Sequence, residues 1–239
     1  MGHRVTMILF LSVLLWSPPG SAQDRGSPHS RWSLQTLHDF PARDHVVRMR
    51  VYHGAPNHDY FTAGQDPQAR EFLNLVEAFH LNKDVWASFS AGRYGSVLGD
   101  VRYVLERFPN HPHALMLLGS VAKLTGELSL PLPYYEKALK LFPQYAPTHA
   151  QYGAYLAAIG YIDVGITQLK EAITMDPQLA VAYAWLASAY YQNGNQELAR
   201  QAAQQARELG YKGKIPGQGL EEETGGGPRN AGGSEGKRQ

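Results

Sequence analysis

Residues 108–119 read FPNHPHALMLLG, and residues 142–153, which lie 34 positions further along, read FPQYAPTHAQYG. Both stretches begin with Phe-Pro, contain a second proline and end in glycine. The same spacing of 34 residues separates the members of two further sets, Gly92, Gly126, Gly160 and Gly194, and Pro109, Pro143 and Pro177. A fixed period of this length, shared by two residue types, indicates a repeated structural unit.

Each unit has the pattern of two helices that are joined by a turn and ended by proline. This pattern resembles the tetratricopeptide repeat, whose consensus is W-x2-L-G-x2-Y, then A-x3-F, then P. In the second unit the consensus positions hold Leu115, Leu118, Gly119, Ala122, Pro131, Tyr135, Ala138 and Pro143. In the third they hold His149, Tyr152, Gly153, Leu156, Gly165, Leu169, Ala172 and Pro177, and in the fourth Tyr183, Leu186, Ala187, Tyr190, Ala199, Ala203, Ala206 and Tyr211. The first unit fits weakly, with Asp84, Val85 and Ser88 at the positions of Leu, Gly and Tyr.

The resemblance implies an all-α fold, a short right-handed α-solenoid of stacked helical hairpins with about four repeats, the first of them degenerate. We predict that this array spans residues 65–212, with repeats at about 81–111, 112–145, 146–179 and 180–212. A capping helix is expected at 66–80, because Asp66-Pro67 is a favourable helix start. Behind that start, apolar residues recur at helical spacing, and these are Phe72, Leu75, Val76 and Phe79.

The positions of glycine, alanine and proline lead to three predictions about local structure. The small residues Gly119, Gly153 and Ala187 are expected to let the first helix of each pair approach the second. Gly126, Gly160 and Gly194 are expected to end the first helices, because glycine enters the left-handed conformation at low energy. Pro131 and Pro133 predict a shortened or bent helix in the second repeat, because proline is tolerated only near a helix start.

The first 22 residues are typical of a secretory signal peptide. Arg4 precedes an apolar run from Val5 to Trp16, and Gly20-Ser21-Ala22 offers small residues for cleavage. We expect cleavage, which predicts a periplasmic or secreted protein with no integral membrane segment in its mature form. Retention as an anchor is the alternative, although about 12 apolar residues are fewer than the roughly 20 that span a bilayer.

Two further segments flank the array. Residues 23–64 are expected to be irregular or disordered, although HVVRMRVYH at 45–53 alternates apolar and polar residues and could add a strand to the sheet edge of a partner. Residues 213–239 contain nine glycines and no aromatic residue. Such a segment buries too little apolar surface to offset its ordering entropy, so we predict a disordered Gly-rich tail.

Composition and motifs argue against several classes of function. The chain has no cysteine, so it forms no disulfide and has no thiolate ligand or cysteine nucleophile. Without Arg4, the 22 basic residues become 21 and balance the 21 acidic ones, and no basic cluster suggests a nucleic-acid partner. Motifs for phosphate binding, serine hydrolysis or zinc proteolysis are absent from the sequence. We therefore predict no enzymatic activity and no cofactor.

The resemblance also implies where a partner binds, because in this family the first helix of each pair lines a concave groove. Transferred to this sequence, the lining positions are Asn82, Trp86, Phe89, His113, Met116, Ser120, Lys123, Ala150, Ala154, Val181, Ala184, Ser188, Tyr191 and Gln192. This set is mostly apolar, and it does not reproduce the combination of Lys, Asn and Arg with which some members grip the C-terminal carboxylate of a chaperone. The sequence thus predicts an exported adaptor or scaffold that binds a peptide or helix of another protein, in envelope assembly or export.

The alternative is a periplasmic metal-handling protein that uses its histidines. Five of them lie in residues 23–64, at His29, His38, His45, His53 and His58, and only Pro112 separates His111 from His113. The pair needs at least one more ligand. We take His111 as a loop residue and His113 as a groove residue, and we assign no metal ligand.

Overall fold

The computed structural model describes residues 57–215. Within this range lie nine α-helices, and their bounds are α1 Pro67–His80, α2 Lys83–Ser90, α3 Tyr94–Arg107, α4 Pro112–Thr125, α5 Leu132–Leu141, α6 Ala146–Ala158, α7 Ile162–Met175, α8 Ala180–Gln192 and α9 Gln196–Glu208. The same range contains no strand. The predicted signal peptide, residues 45–53 and all but the first three residues of the predicted tail lie outside the described residues.

Helices α2 to α9 form four successive hairpins behind α1, which confirms the predicted all-helical stack. A glycine with positive φ lies in the turn of each hairpin, and the four values are 72° at Gly92, 79° at Gly126, 100° at Gly160 and 77° at Gly194. Residues with a Cβ rarely adopt this left-handed conformation. The predicted role of glycine in ending the first helices is therefore confirmed.

The third hairpin is held by a close contact between two glycines. A Cβ added to Gly153 in α6 would lie 2.7 Å from the carbonyl oxygen of Gly165 in α7, and a Cβ added to Gly165 would lie 2.6 Å from the carbonyl oxygen of Gly153. The two backbones can approach this closely only because neither residue has a side chain. Gly153 thus has the role that the sequence predicted.

Gly119, at the equivalent position of the second hairpin, has a different role. A Cβ at Gly119 would lie 3.1 Å from the ring of Tyr155, which belongs to α6 of the next hairpin. The expectation that Gly119 brings α4 close to its own partner helix is therefore wrong. Tyr155 belongs to a set of buried aromatic rings that we call the tyrosine stack, and its members are Tyr135, Tyr152 and Tyr155.

The tyrosine stack joins α5 to α6. The ring centroid of Tyr135 lies 5.2 Å from that of Tyr152 and 5.9 Å from that of Tyr155. The hydroxyl of Tyr155 also donates to the backbone oxygen of Leu128, at 2.7 Å. Burial raises the pKa of all three phenols well above the usual value, because ionisation would place a charge in the apolar interior.

Helix α5 is the shortest second helix of the array. It has 10 residues, whereas α3 and α7 have 14 each. It begins after Pro131, and Pro133 falls in its first turn, where a missing N–H removes no helical hydrogen bond. This confirms the predicted shortening.

A break at Leu81 and Asn82 separates the first two helices. Asp66 caps α1 by accepting a hydrogen bond from the backbone N–H of Gln68, at 3.1 Å. Asn82 caps α2 in the same way, since its side-chain oxygen accepts from the N–H of Asp84, at 2.9 Å. Helix α2 then has only 8 residues, which agrees with the weak consensus of the first repeat.

Residues 57–62, which we call the strap, pack against the loops between hairpins. Asp59 accepts a hydrogen bond from the side-chain amide of Asn110, at 2.7 Å, and another from the hydroxyl of Tyr145. The ring of Phe61 stacks on Tyr145 with centroids 4.5 Å apart. Since Asn110 and Tyr145 belong to consecutive loops, the strap ties the first three hairpins along one edge.

The last helix is amphipathic, and it closes the stack. Its alanines are buried against α8, whereas its glutamines and charged residues face solvent. The chain after α9 folds back, so that Tyr211 and Ile215 are buried. Arg207 holds this return by donating to the backbone oxygen of Tyr211, at 2.7 Å. The packed part of the chain therefore continues to Ile215, beyond the expected end of the array at 212.

Candidate functional site

The first helices of the hairpins form the inner side of the stack. Helices α4, α6 and α8 pack against one another in order, whereas the second helices α5, α7 and α9 lie farther apart. A stack whose first helices are closer together than its second helices must curve toward the first helices. We call the surface formed by α2, α4, α6 and α8 the inner wall.

Four of the predicted lining residues are buried, so no partner can contact them in this structure. They are Ser120, Ala150, Ala184 and Ser188. The hydroxyl of Ser120 donates to the backbone oxygen of Met116, at 2.8 Å, and that of Ser188 to the backbone oxygen of Ala184, at 3.1 Å. All four side chains are thus buried in the packing of the array.

The side chain of a fifth predicted residue, Asn82, already makes hydrogen bonds within the fold. Its oxygen caps α2, and its side-chain nitrogen donates to the backbone oxygens of Ala78 and Phe79, at 3.1 and 3.3 Å. These bonds join the end of α1 to the start of α2. Asn82 therefore has a structural role that its place in the repeat does not reveal.

Aromatic side chains form the first part of the inner wall. Trp86 and Phe89 on α2 are half-buried, and their ring centroids lie 6.4 Å apart in an edge-to-face arrangement. Tyr94 continues the row, with its centroid 6.0 Å from that of Phe89. Partly exposed aromatic rings that are already held by their neighbours are well suited to bind an apolar side chain, because they lose little entropy on binding.

The second part of the inner wall carries its polar side chains. His113 and Met116 on α4 are half-buried, whereas Lys123 is exposed. Burial lowers the pKa of His113, and nearby His111 lowers it further, whereas Glu77 acts in the opposite direction. Partial desolvation also lowers the pKa of Lys123.

The last part of the wall is formed by small residues on α6 and larger ones on α8. Ala154 and Val181 are half-buried, whereas Tyr191 and Gln192 are exposed. The amide of Gln192 donates to the backbone oxygen of Ser188, at 3.2 Å.

Sequence reasoning missed three residues near this wall. Gln151 on α6 reaches α4, where its amide donates to the backbone oxygen of Pro112, at 3.2 Å. Tyr183 and Trp185 on α8 are half-buried. Their size could have drawn attention to them, but their repeat positions are not among those that line the groove in the family.

The closely spaced histidines of the opening motif do not form a metal site. His111 is fully buried. Its Nδ1 accepts a hydrogen bond from the N–H of Ala114, at 3.3 Å, and its Nε2 lies 3.3 Å from Oε1 of Glu77. The interpretation of His111 as a loop residue is thus replaced by that of a buried cap for α4. Both ring nitrogens are engaged, so neither is available to a metal.

The remaining residues give the metal hypothesis no support. Within residues 57–215, no group of three or more His, Asp or Glu side chains is arranged to hold a metal ion. His149 is buried, with Nδ1 3.0 Å from Oε1 of Gln168. His58 packs on Phe72 with ring centroids 5.3 Å apart, and the other four N-terminal histidines lie outside the described residues. Among the helices in the same range, none is both long and apolar enough for a membrane crossing.

Residues 180–209, which form the hairpin of α8 and α9, match the family model for the tetratricopeptide repeat. This match supports the predicted tetratricopeptide repeat resemblance. Proteins of this family are generally non-enzymatic scaffolds for protein–protein interaction. Among curated proteins, none matches this chain significantly.

Several solved structures are similar in fold. The thermophilic tetratricopeptide repeat protein TTC0263 of Thermus thermophilus is 20% identical with a TM-score of 0.44, over 53% of this chain and 71% of that one. YrrB, described as having an unusual peptide-binding site, is 21% identical with a TM-score of 0.42, over 53% of this chain and 65% of that one. MamA is 20% identical with a TM-score of 0.42, over 59% of this chain and 75% of that one. Similarity this distant says nothing of partners.

Proposed function

We propose that this protein is an exported, non-enzymatic adaptor whose inner wall binds a peptide or helix of another protein in envelope assembly or export. The observation that carries the proposal is the distribution of charge. Helices α4, α6 and α8 together contain a single Lys, Arg, Asp or Glu, which is Lys123. The second helices α7 and α9 carry several charges each.

A wall with so little charge favours a partner with apolar side chains. Covering a charged surface removes hydrated ions from water, which opposes association unless each ion finds a partner. The part of the inner wall on α4, α6 and α8 avoids this cost except at Lys123. Removing its apolar and aromatic side chains from water is favourable, and a few such residues supply most of the affinity of an interface.

The test compares the inner wall with other apolar side chains of the same array. The wall variant is Trp86→Ala, Met116→Ala and Tyr191→Ala, and the control is Leu141→Ala with Met175→Ala, two exposed residues on second helices. Partners recovered from the envelope fraction are quantified by mass spectrometry for each tagged protein. Truncating a binding hot spot often costs more than about 1.4 kcal/mol of binding free energy, which weakens affinity at least tenfold. We therefore expect the wall variant to recover far less partner.

Circular dichroism first establishes that both variants remain helical. Equal recovery by the wild type and the wall variant would show that the inner wall does not bind the partner. An equal loss in the control would show that binding is not confined to this wall.

Export is proposed from residues 1–22 and needs a separate experiment. Cell fractionation with N-terminal sequencing should give a periplasmic or secreted protein that begins at Gln23. Intact Met1 in the membrane fraction would indicate a retained anchor. An intact cytoplasmic protein would contradict export altogether, without bearing on the inner wall.

A further inference from the structure

Helix α1 carries an apolar flank that the fold leaves uncovered. Phe72, Leu75 and Phe79 are spaced so that they lie along one side of the helix. Phe72 is half-buried, but Leu75 is 50% exposed and Phe79 is 68% exposed. The buried contacts of α1 are made by Leu73 and Val76, which face the rest of the array. We call Phe72, Leu75 and Phe79 the α1 flank.

The strap enters the fold at the N-terminal end of this flank. The ring of His58 lies 5.3 Å from that of Phe72 and 5.4 Å from that of Phe108. The backbone N–H of His58 donates to the backbone oxygen of Arg107, at 2.8 Å, which fixes the chain at this point. The first apolar residue of the flank is therefore covered by the chain itself, and the two that follow are left open.

The residues that precede the strap have a pattern that suits the open part of the flank. In residues 45–53, Val47, Met49 and Val51 alternate with Arg48, Arg50 and Tyr52. When such a segment is extended, its three apolar side chains point to one side.

The chain between residues 45–53 and the strap is long enough for this segment to reach the open part of the flank. Val51 lies seven residues before His58, which allows a separation of up to about 23 Å at about 3.3 Å per residue. Phe79 lies seven residues after Phe72, which corresponds to about 10 Å along the helix axis. Residues 45–53 can therefore reach both Leu75 and Phe79 without moving the strap.

We propose that residues 45–53 dock on the α1 flank, with Val47, Met49 and Val51 against Leu75 and Phe79. The tether favours this occupant, because a short linker gives the attached segment an effective concentration in the millimolar range, above that of a second copy or a free partner. This docking site is separate from the inner wall, and it does not depend on the proposed adaptor function.

Disulfide formation tests the contact directly, because the chain has no cysteine of its own. Val51→Cys is combined with Phe79→Cys on the flank or, as the control, with Asn74→Cys, which is exposed on the other side of α1. A disulfide needs its two Cα atoms within about 7 Å. We expect the intramolecular bond to form at least about tenfold faster in the flank pair, as followed on non-reducing gels at micromolar protein. Equal rates in the two pairs, or covalent dimers as the main product, would overturn the proposal.

A second measurement begins with a deletion that leaves the flank unchanged, and it substitutes Phe79 only as a control. Deletion of residues 45–53 should uncover Leu75 and Phe79 and raise the fluorescence of the apolar dye bis-ANS, and Phe79→Asp in the deleted chain should remove the rise. The helical circular dichroism should be the same in all of these proteins. Unchanged fluorescence on deletion, or a rise that Phe79→Asp does not reduce, would contradict docking on this flank.

Discussion

Replacing Gly153 by alanine tests the contact between α6 and α7 most directly. The new Cβ would lie 2.7 Å from the carbonyl oxygen of Gly165, 2.9 Å from Cγ of Leu169 and 3.0 Å from Cβ of Gln168. The backbone oxygen cannot rotate away, so we place the cost near the upper end of the range for overpacking, about 3 kcal/mol. The better helix propensity of alanine offsets about 1 kcal/mol of this. The free energy of unfolding should therefore fall by about 2 kcal/mol.

Thermal unfolding followed by far-UV circular dichroism measures the effect. For a chain of this size, about 2 kcal/mol lowers Tm by about 4–8 °C. The matched control is Gly99→Ala in α3, where a Cβ would meet no atom within 4 Å. Alanine should there raise the free energy of unfolding by about 0.5–1 kcal/mol. If Gly153→Ala melts at or above the temperature of the wild type, the two backbones do not approach as described.

Three other substitutions or conditions have defined outcomes. Asp59→Ala removes the acceptor for Asn110, which is fully buried, and should lower the free energy of unfolding by about 1–3 kcal/mol in urea; an unchanged midpoint would mean that the strap adds no stability. Truncation after Ile215 should leave Tm unchanged, whereas truncation after Gly213 also removes a buried side chain and should cost about 2 kcal/mol; equal melting of the two would refute the packing of Ile215. Because burial raises the pKa of the tyrosine stack, the stability that its neutral phenols provide is complete below about pH 10, their unfolded pKa, and is lost as pH rises above it. The phenolate absorbance of these three side chains should appear only together with the loss of helical circular dichroism, and its appearance in the helical protein would contradict their burial.

The hairpins could be predicted from the sequence because their signals are local. A glycine with positive φ and a proline after the second helix each act within a few residues, and their recurrence every 34 residues gave the register without any long-range contact. The shortening of α5 followed in the same way, since Pro131 and Pro133 restrict only the turn in which they lie. Periodicity is thus sufficient for the number of hairpins and the order of the helices.

The strap and the buried wall residues could not be predicted from the same signals. Asp59 and Asn110 are 51 residues apart, and nothing in the sequence near either residue indicates that the two are in contact. Ser120 and Ser188 are polar residues at lining positions, yet each satisfies its hydroxyl within its own helix and is buried by a neighbour. A repeat position gives the direction of a side chain, but exposure depends on how closely the next helix packs.

Helix α6 contacts both its own hairpin partner α7 and the preceding first helix α4. In each contact, a glycine at the same consensus position leaves room for the neighbouring helix. At Gly153 the missing side chain admits the backbone of α7, and at Gly119 it admits the ring of Tyr155, which α6 itself provides. Displacement of α6 must therefore disturb α4 as well as α7, although a repeat array is stabilised mainly between neighbours. Hydrogen exchange can show this coupling, because Gly153→Ala should lower the protection of amides in α4 and α7 together and leave those of α1 unchanged. Loss of protection confined to α7 would mean that Tyr155 does not join the two hairpins.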